Sequence, residues 1–377
     1  MSEWITRKLE EIGEIVGGST PSTKCERYYG GDISWITPKD LATFDGRYIS
    51  RGERNITEAG LNSCSSRLLP KHSVLFTSRA PIGYIAIAQN ELATNQGFKS
   101  VVPNEKIDYL FLYYLLKYNK DNIENLGSGT TFKEVSGKTM KSVLVRIPKS
   151  LTEQRIIAQI LDSLDRKIEN GIKLNRNLAA QVSYLYKEWF EDYKPFGGVC
   201  PSSWKEGTLS DIASITSGKR PPSKSDKKTI SANIPLIGAS SVMGYTTEAN
   251  HIDKILVIGR VGTHGVVQRF DIPCWTSDNT LVITSSLYEY TYQILQRIDY
   301  SSMNRGSTQP LITQGDMNKV SILIPDDKTI EKYETFACQL MNLYRTYLME
   351  NEKLEELRDS LLPKLMSGEL DVSELDV

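Results

Sequence analysis

The chain has 377 residues, of which 40% are hydrophobic and 24% are charged, and its formal net charge is −1. This length predicts two or three domains, and the hydrophobic content excludes a disordered chain. No apolar run reaches the roughly 18 residues that a membrane-spanning helix requires, so an integral membrane protein built on such helices is also excluded.

The N-terminal residues and the cysteines favour a reduced, cytoplasmic protein. Residues 1–5 lack the basic and then apolar pattern of a secretory signal. The five cysteines are odd in number and are never spaced as CxxC. We therefore expect free thiols and no structural zinc.

The near-neutral total conceals an uneven distribution of charge. Residues 1–148 carry 19 basic and 16 acidic groups, whereas residues 327–377 carry 6 basic and 12 acidic groups. The acidic excess therefore lies in the C-terminal segment, and the remainder of the chain is mildly positive. Such a balance permits DNA binding without requiring it.

An internal duplication begins at the first predicted element. Trp4 and Trp204 each open a segment whose apolar spacing predicts a short amphipathic helix. Each segment runs into a Gly/Ser turn that ends at Pro21 or Pro221, and both pairs of residues share an offset of 200. The equal spacing indicates that the two halves of the chain are copies of one domain.

The elements that follow repeat in the same order in both halves. Short β-branched runs of period two predict strands, a Tyr/Leu-rich segment predicts a helix, and a polar Gly/Ser/Thr segment predicts a loop. A run that ends in proline predicts the last strand of each copy. The matched segments are 33–37 with 234–238, 73–79 with 254–260, 93–98 with 275–280, 109–118 with 288–298, 127–132 with 306–311, and 143–148 with 320–325.

Each copy is followed by a segment of helical period, one over about 150–190 and one over about 327–362. Ser150 and Glu153 form a capping box at the first start, and Pro363 is compatible with the second end. Apolar side chains recur alternately four and three residues apart, as in a coiled coil. The predicted seam positions are Leu161, Leu164, Ile168, Gly171, Asn175, Leu178, Val182, Leu185 and Trp189, and Tyr333, Phe336, Leu340, Leu343, Tyr347, Glu350, Leu354, Leu357 and Leu361.

Antiparallel pairing of the two helical segments would bury both apolar stripes. Asn175 and Glu350 are polar at seam positions and would disfavour other registers. The sequence thus predicts an α+β fold in which two duplicated α/β domains are separated by two long antiparallel coiled-coil-like helices, a dumbbell with pseudo-two-fold symmetry. Helices of about 38 residues would span roughly 55–60 Å. The predicted boundaries are 1–148, 149–198, 199–326 and 327–377.

The sequence contains two partial matches to catalytic motifs, and neither is complete. The run from Ser136 to Thr139 resembles the end of a phosphate-binding loop, but Phe132 stands where that loop needs glycine. Pro325 to Lys328 resembles the tail of a nuclease motif, and acidic residues at a helix start are better explained as caps. The histidines, including His264, have no partners at ligand spacing. We therefore expect no catalytic site and no metal site.

Polar loop residues in corresponding positions of both halves predict a DNA-binding surface. Arginine suits guanine, asparagine and glutamine suit adenine, serine and threonine suit either, and nearby lysines can hold phosphates. For each residue taken alone, a solvated turn is the better interpretation, but the duplicated set favours a binding surface. The candidates are Arg79, Thr94, Asn95, Gln96, Lys99, Ser128, Thr130, Thr131, Lys133, Lys219, Arg220, Arg260, Thr263, His264, Asp278, Asn279, Asn304, Arg305, Ser307, Thr308 and Gln309.

Four segments resemble the specificity subunits of Type I restriction–modification systems. The strongest is the helix start at 151–165, and the tail at 357–370 reinforces it. The motifs at 18–22 and 95–97 also look typical of that family. Residues 327–331 depart from this pattern, because they lack the Glu-Gln-Arg start that the first helix shows.

The resemblance implies a non-catalytic subunit that binds double-stranded DNA and recognises a bipartite sequence, one half-site in each recognition domain. It also implies two methyltransferase subunits and, for cleavage, motor–nuclease subunits, which would supply the S-adenosylmethionine, ATP and magnesium chemistry. The chain itself would need no cofactor. Candidate docking residues on the outer helix faces are Arg155, Tyr186, Arg345 and Arg358.

Three alternatives remain open from the sequence. A fused methyltransferase or nuclease would need motifs that the chain lacks. A structural coiled-coil repeat protein would differ in failing to bind duplex DNA. The same DNA-reading architecture could also serve a Type IIB-like assembly, and the identity of the partner distinguishes that case.

Overall fold

The computed structural model describes residues 3–79, 81–129, 133–261, 265–303 and 311–372. The chain divides into two units, which we describe separately. Unit 1 comprises Met1–Ile172 with Leu348–Val377, and unit 2 comprises Lys173–Tyr347.

The elements of unit 1 alternate short strands and short helices. In chain order they are β1 (Trp4–Lys8), α1 (Leu9–Ile12), β2 (Gly13–Gly17), a 3-10 turn (Glu26–Tyr28), β3 (Tyr29–Ile36), α2 (Pro38–Ala42), β4 (Tyr48–Ile49), β5 (Arg54–Ile56), α3 (Glu58–Asn62), β6 (Val74–Ser78), β7 (Ile82–Ala88), β8 (Ala93–Thr94), β9 (Lys99–Pro103), α4 (Tyr109–Tyr118), α5 (Lys120–Asn125), α6 (Gly137–Ser142) and β10 (Leu144–Pro148). The long helix α7 (Leu151–Phe190) begins in this unit.

Unit 2 follows nearly the same order. Its elements are 3-10 turns (Lys194–Phe196, Leu209–Asp211, Tyr300–Met303), β11 (Lys205–Thr208), β12 (Ser214–Ser217), β13 (Ile234–Ile237), β14 (Val242–Thr246), β15 (Ile255–Gly259), β16 (Val267–Phe270), β17 (Trp275–Thr276), β18 (Thr280–Thr284), α8 (Tyr288–Arg297), α9 (Gln314–Asn318), β19 (Ser321–Ile324) and the start of the second long helix, α10 (Asp327–Ser367).

A central sheet with both faces covered organises each unit. In unit 1 the order is β2-β9-β6-β7-β4, and in unit 2 it is β12-β18-β15-β16. Because side chains alternate along a strand, Val74 and Phe76 of β6 enter one core cluster while Leu75 enters another. In β15, Leu256 and Val257 divide in the same way. Both strands are therefore buried on two faces.

Hydrogen bonds confirm the duplication and correct one of its alignments. The Ser78 N–H donates to the Gly97 carbonyl at 2.7 Å, and the Arg260 N–H donates to the Asn279 carbonyl at 3.0 Å. Arg260 is therefore equivalent to Ser78, and Arg79 is equivalent to Val261. The predicted match of Arg79 with Arg260 is wrong by one residue, which places these two arginines on opposite sides of their strands.

The short helices predicted after Trp4 and Trp204 are mostly strands. Trp4–Lys8 pairs antiparallel with Leu144–Pro148, so the first helix is confined to Leu9–Ile12. In unit 2, Lys205–Thr208 pairs with Ser321–Ile324. Local apolar spacing predicted a helix here, but hydrogen bonds to a strand more than 100 residues away override it.

The two long helices are confirmed at Leu151–Phe190 and Asp327–Ser367. Pro363 does not end the second helix, which continues to Ser367 and stops at Gly368, where φ is +77°. In unit 1 the later part of α10 packs on the earlier part of α7, and in unit 2 the earlier part of α10 packs on the later part of α7. The pairing within each unit is therefore antiparallel, as predicted.

The predicted seam is right on α7 and half wrong on α10. All nine predicted α7 positions are buried or half-buried. On α10 the positions seven apart from Tyr333 are buried or half-buried, but Phe336, Leu343 and Leu357 are more than 40% exposed. The intervening seam positions lie one residue later, at Ala337, Tyr344, Asn351 and Arg358.

Candidate functional site

The candidate residues of unit 1 converge on one end of its central sheet. Strand β6 ends there at Ser78, and β9 begins there at Lys99, because the two strands are antiparallel. The Val135 N–H donates to the Ser78 carbonyl at 2.9 Å, which brings the loop after α5 to the same place. Three segments that are distant in sequence thus meet at the same end of the central sheet.

Glu134 joins two of the predicted basic residues at this end. Its carboxylate lies 3.9 Å from Arg79 and 3.6 Å from Lys99. The loop that contains it is closed by paired backbone hydrogen bonds between Ser128 and Glu134. Arg79, Lys99 and Ser128 are therefore neighbours, and the predicted candidate Lys133 is an exposed member of the same loop. Glu134 was missed because a single acid in a polar loop carries no distinguishing pattern.

The motif at 95–97 forms a tight, partly exposed turn. Asn95 Oδ1 accepts from the Gly97 N–H at 2.8 Å, and the exposed Gln96 accepts a hydrogen bond from Thr20. Gly18 contacts the backbone of this turn so closely that a Cβ would collide with the carbonyls of Thr94 and Asn95. The motifs at 18–22 and 95–97, distant in sequence, therefore form one surface.

The structure removes Thr94 from the candidate set. Its side chain is only 2% exposed, because Thr94 belongs to strand β8, which pairs with β3. Its carbonyl accepts from the Ser66 hydroxyl and the Ser19 N–H. A buried side chain cannot contact a base edge without local unfolding.

The equivalent end of unit 2 holds a second group of candidates. Asp278 and Asn279 are exposed in the turn that corresponds to Gln96 and Gly97. The Arg260 guanidinium donates to the Ser217 hydroxyl at 3.4 Å, and its Nε is buried with no partner among the described residues. Arg260 therefore lies deeper than Arg79 does in unit 1.

Two further basic candidates flank this turn in unit 2. Lys219 and Arg220 are exposed, and the Lys219 backbone is held by the Thr276 carbonyl and the Trp275 indole. The remaining candidates lie outside the described residues: Thr130, Thr131, Thr263, His264, Asn304, Arg305, Ser307, Thr308 and Gln309.

Of the four predicted docking residues, two lie on an outer helix face. The side chains of Arg155 and Arg345 are 60% and 44% exposed, with partners at Asp108 and Asp271. The outer-face placement of Tyr186 is wrong, because it is 8% exposed in the unit 2 core. Arg358 also turns inward. Its guanidinium donates to Asp165 at 2.8 Å.

Two kinds of site can be judged from the described residues of both units, a metal centre and a membrane-spanning helix. No group of three or more His, Cys, Asp or Glu side chains could hold a metal ion in the part of the chain that the structure describes. No helix in the same part is long and apolar enough to cross a bilayer. What the described surface offers instead is duplicated polar turns at equivalent sheet ends.

Comparisons with known proteins agree along the whole chain. The family model described as "Type I restriction modification DNA specificity domain" matches residues 1–176 and 201–358. The Type I restriction enzyme MjaIX specificity subunit of Methanocaldococcus jannaschii is 36% identical, with 99% of this chain and 95% of that protein covered. The EcoprrI specificity subunit of Escherichia coli is 24% identical over 91% of this chain and 90% of its own length.

A solved structure shares the fold. The crystal structure of the S subunit of a Type I restriction–modification system from M. genitalium superposes with a TM-score of 0.65 at 18% identity. The superposition covers 99% of this chain and 97% of that one.

Proposed function

The chain belongs to the Type I restriction–modification DNA specificity family, and on that premise we propose that it selects a bipartite DNA sequence, one half-site per unit. The observation that carries the proposal is the duplicated turn. The turn that contains Gln96 in unit 1 and the turn that contains Asp278 in unit 2 present polar side chains at equivalent ends of two equivalent sheets. Two copies of one reader suit a target with two parts.

Selectivity would come from combining two modest readers. A well-formed contact with a base edge contributes roughly 1–3 kcal/mol of discrimination. Since both units belong to one chain, engagement of the second half-site is intramolecular once the first is bound. The long helices α7 and α10, to which both units contribute residues, would then set the length of the unread spacer.

We further propose that the helices dock two methyltransferase subunits. Exposed apolar side chains on α10, Phe336 and Leu343 in unit 2 and Leu357 in unit 1, are of the kind that protein interfaces cover. A duplicated chain offers two similar faces to two copies of one partner. Those subunits, with motor–nuclease subunits where cleavage occurs, would carry the S-adenosylmethionine, ATP and magnesium chemistry, and this chain would be non-catalytic.

Genome-wide mapping of methylated adenines, with and without the gene, tests the proposal. We expect one split sequence to lose its methylation when the gene is deleted. Exchange of residues 1–148 for those of a relative should then alter one half of that sequence only. Alteration of both halves would contradict independent readers, and unchanged methylation after deletion would refute the function.

A further inference from the structure

A basic groove lies beside the reading turns of unit 1. It has a volume of about 580 Å³ and is lined by four lysines and one glutamate. The lysines come from three separate parts of the fold: Lys8 ends β1, Lys99 begins β9, and Lys138 and Lys141 lie on α6. We call these four residues the lysine groove.

Two members of the lysine groove have no acidic partner within the part of the chain that the structure describes. Lys8 lies 3.6 Å from Glu10, and Lys99 lies 3.6 Å from Glu134. Lys138 and Lys141 are exposed and form no ion pair with any residue that the structure describes. The pKa of Glu14 is lowered mainly by its hydrogen bond with Arg67, and the charge of Lys141 lowers it by a smaller amount. The groove therefore keeps a positive excess.

The lysine groove adjoins the candidate DNA-binding residues of unit 1, which are the turn at 95–97 and the neighbouring Arg79. Lys99 belongs to both, since it also contacts Glu134 beside Arg79. Gly17, at the other wall, pairs with Lys99 across the sheet and precedes Gly18, which touches the turn at 95–97. A duplex whose bases meet that turn would bring its phosphates to the neighbouring groove.

Unit 2 lacks the same charges at the equivalent positions. The strand pairings place Thr208 and Leu281 where unit 1 has Lys8 and Lys99. The caps of α6 and α9, at Ser136 and Thr313, place Gly315 and Asn318 where unit 1 has Lys138 and Lys141. The lysine groove is thus a property of one unit and does not follow from the shared fold.

We infer that the lysine groove binds phosphates of the DNA backbone beside the half-site read by unit 1, a contribution that the equivalent positions of unit 2 cannot make. The inference rests on the proposed function. Lysine contacts to phosphate carry no sequence information but fix register and supply affinity through counterion release. They make Lys138 and Lys141 positioning residues for DNA.

The experiment measures duplex binding by the full-length chain as a function of salt. The probe is a labelled 30-base-pair duplex of mixed sequence, titrated by fluorescence anisotropy at a series of KCl concentrations. The test variant is K138Q/K141Q, which keeps most of each side chain. The matched control is K71Q/K106Q, whose exposed lysines lie at the opposite end of strands β6 and β9.

For K138Q/K141Q we expect the slope of log affinity against log salt to fall by about 1.8, at roughly 0.9 per lost contact. If the affinity at 1 M salt is unchanged, that slope change lowers the affinity at 100 mM KCl by about 60-fold. The thermal midpoint should not change. The control should keep the slope of the natural chain. Adding K8Q to the test variant should reduce the magnitude of this slope further.

The outcomes separate the inference from the function on which it rests. If the natural chain binds duplex and K138Q/K141Q keeps its slope, the groove does not hold DNA and the inference fails. If that variant instead loses stabilisation by inorganic phosphate at constant ionic strength, while duplex binding is unchanged, the groove is a free-anion site and the inference also fails. If the natural chain shows no salt-dependent duplex binding, the proposed function fails first.

Discussion

The two units differ in the interactions that join their sheets to the long helices: buried ion pairs predominate in unit 1 and aromatic packing in unit 2. In unit 1, Arg47 is 5% exposed and donates to Asp162 at 2.5 Å and to Glu169 at 2.8 Å, both on α7. In the same cluster, the Tyr114 hydroxyl of α4 donates a hydrogen bond to Asp165. The Asp165 carboxylate also accepts a hydrogen bond from Arg358 of α10. Ion pairs and charged hydrogen bonds therefore join the sheet domain of unit 1 to the two long helices.

Unit 2 uses mainly aromatic rings, although Arg297 of α8 also forms an ion pair with Glu191 just after α7. Phe190 of α7 lies 5.0 Å from Tyr333 of α10, 4.9 Å from Tyr290 of α8 and 5.6 Å from Trp204, measured between ring centroids. Two carboxylates lie beside these rings: Glu289 is 2% exposed and pairs with Arg269 at 2.6 Å, and Glu334 is half-buried. The comparison shows that one fold admits two kinds of junction, one directional and costly to leave unpaired, the other dependent on packing.

The largest expected effect comes from breaking the ionic junction. R47M removes a buried cation from Asp162 and Glu169 and leaves Asp162, among the described residues, paired only with the exposed Arg166. Removal of one partner of a buried pair typically costs about 3–5 kcal/mol, and we expect the lower end of that range because Glu169 is partly exposed. Urea unfolding of the full chain, followed by a probe in unit 1, measures the loss. The control R67M breaks an exposed pair with Glu14 and should leave stability nearly unchanged, because solvent screens that pair. Equal effects would show that the junction is not energetically special.

A second prediction concerns pH and Glu334, a half-buried acid beside the aromatic junction. Burial raises the pKa of Glu334 to about 7, against hydrogen bonds from the Tyr290 and Glu289 N–H groups that favour its charged form. Glu289 also raises this pKa, and Arg269 lowers it. The folded state thus holds this proton more tightly than the unfolded state does. The stability that results is complete below about pH 4.5 and is lost as pH rises through 7.

E334Q should remove that pH dependence. Relative to the natural chain, its free energy of unfolding should improve by on the order of 2 kcal/mol between pH 4.5 and 8, because no charge need form in the buried site. Denaturant unfolding at several pH values measures the difference. The control is E331Q, at an exposed position of the same helix. A difference that does not change with pH would contradict the prediction.

A smaller effect is expected from the aromatic rings themselves. F190L keeps an apolar side chain but removes ring contacts with Trp204, Tyr290 and Tyr333, at about 1–2 kcal/mol. Because the contacts carry no charge, the loss should be the same in 50 mM and 500 mM KCl. Unfolding of unit 2 at both concentrations tests this, and a strong salt dependence would refute it.

The smallest expected effect transfers charge from one unit to the other. G315K/N318K places lysines in unit 2 where unit 1 has Lys138 and Lys141, and a Cβ at Gly315 meets only the Thr313 hydroxyl at 3.7 Å. We expect the salt slope of duplex binding to rise by up to about 1.8. The control G315Q/N318Q should leave it unchanged. No rise would indicate that unit 2 holds its DNA at a different angle.

Much of the architecture was open to prediction because it depends on local patterns. The order of strands, the positions of the polar turns and the extents of the two long helices follow from periodicity and from the duplication. The turn at 95–97 was singled out because polar residues follow a predicted strand there and recur at the corresponding position of the second half. The family resemblance rested on the same local motifs.

Other features depend on partners that are distant in sequence, and only the tertiary structure decided them. Trp4–Lys8 is a strand because residues 144–148 lie beside it. On α10, the more apolar Phe336 faces outward while Asn351 is buried against Gly171, whose missing Cβ leaves room for the amide. The sequence by itself determined which elements exist and that they occur twice. Contacts between distant residues determined which face of each element is buried, since burial depends on the shape and charge of the neighbour.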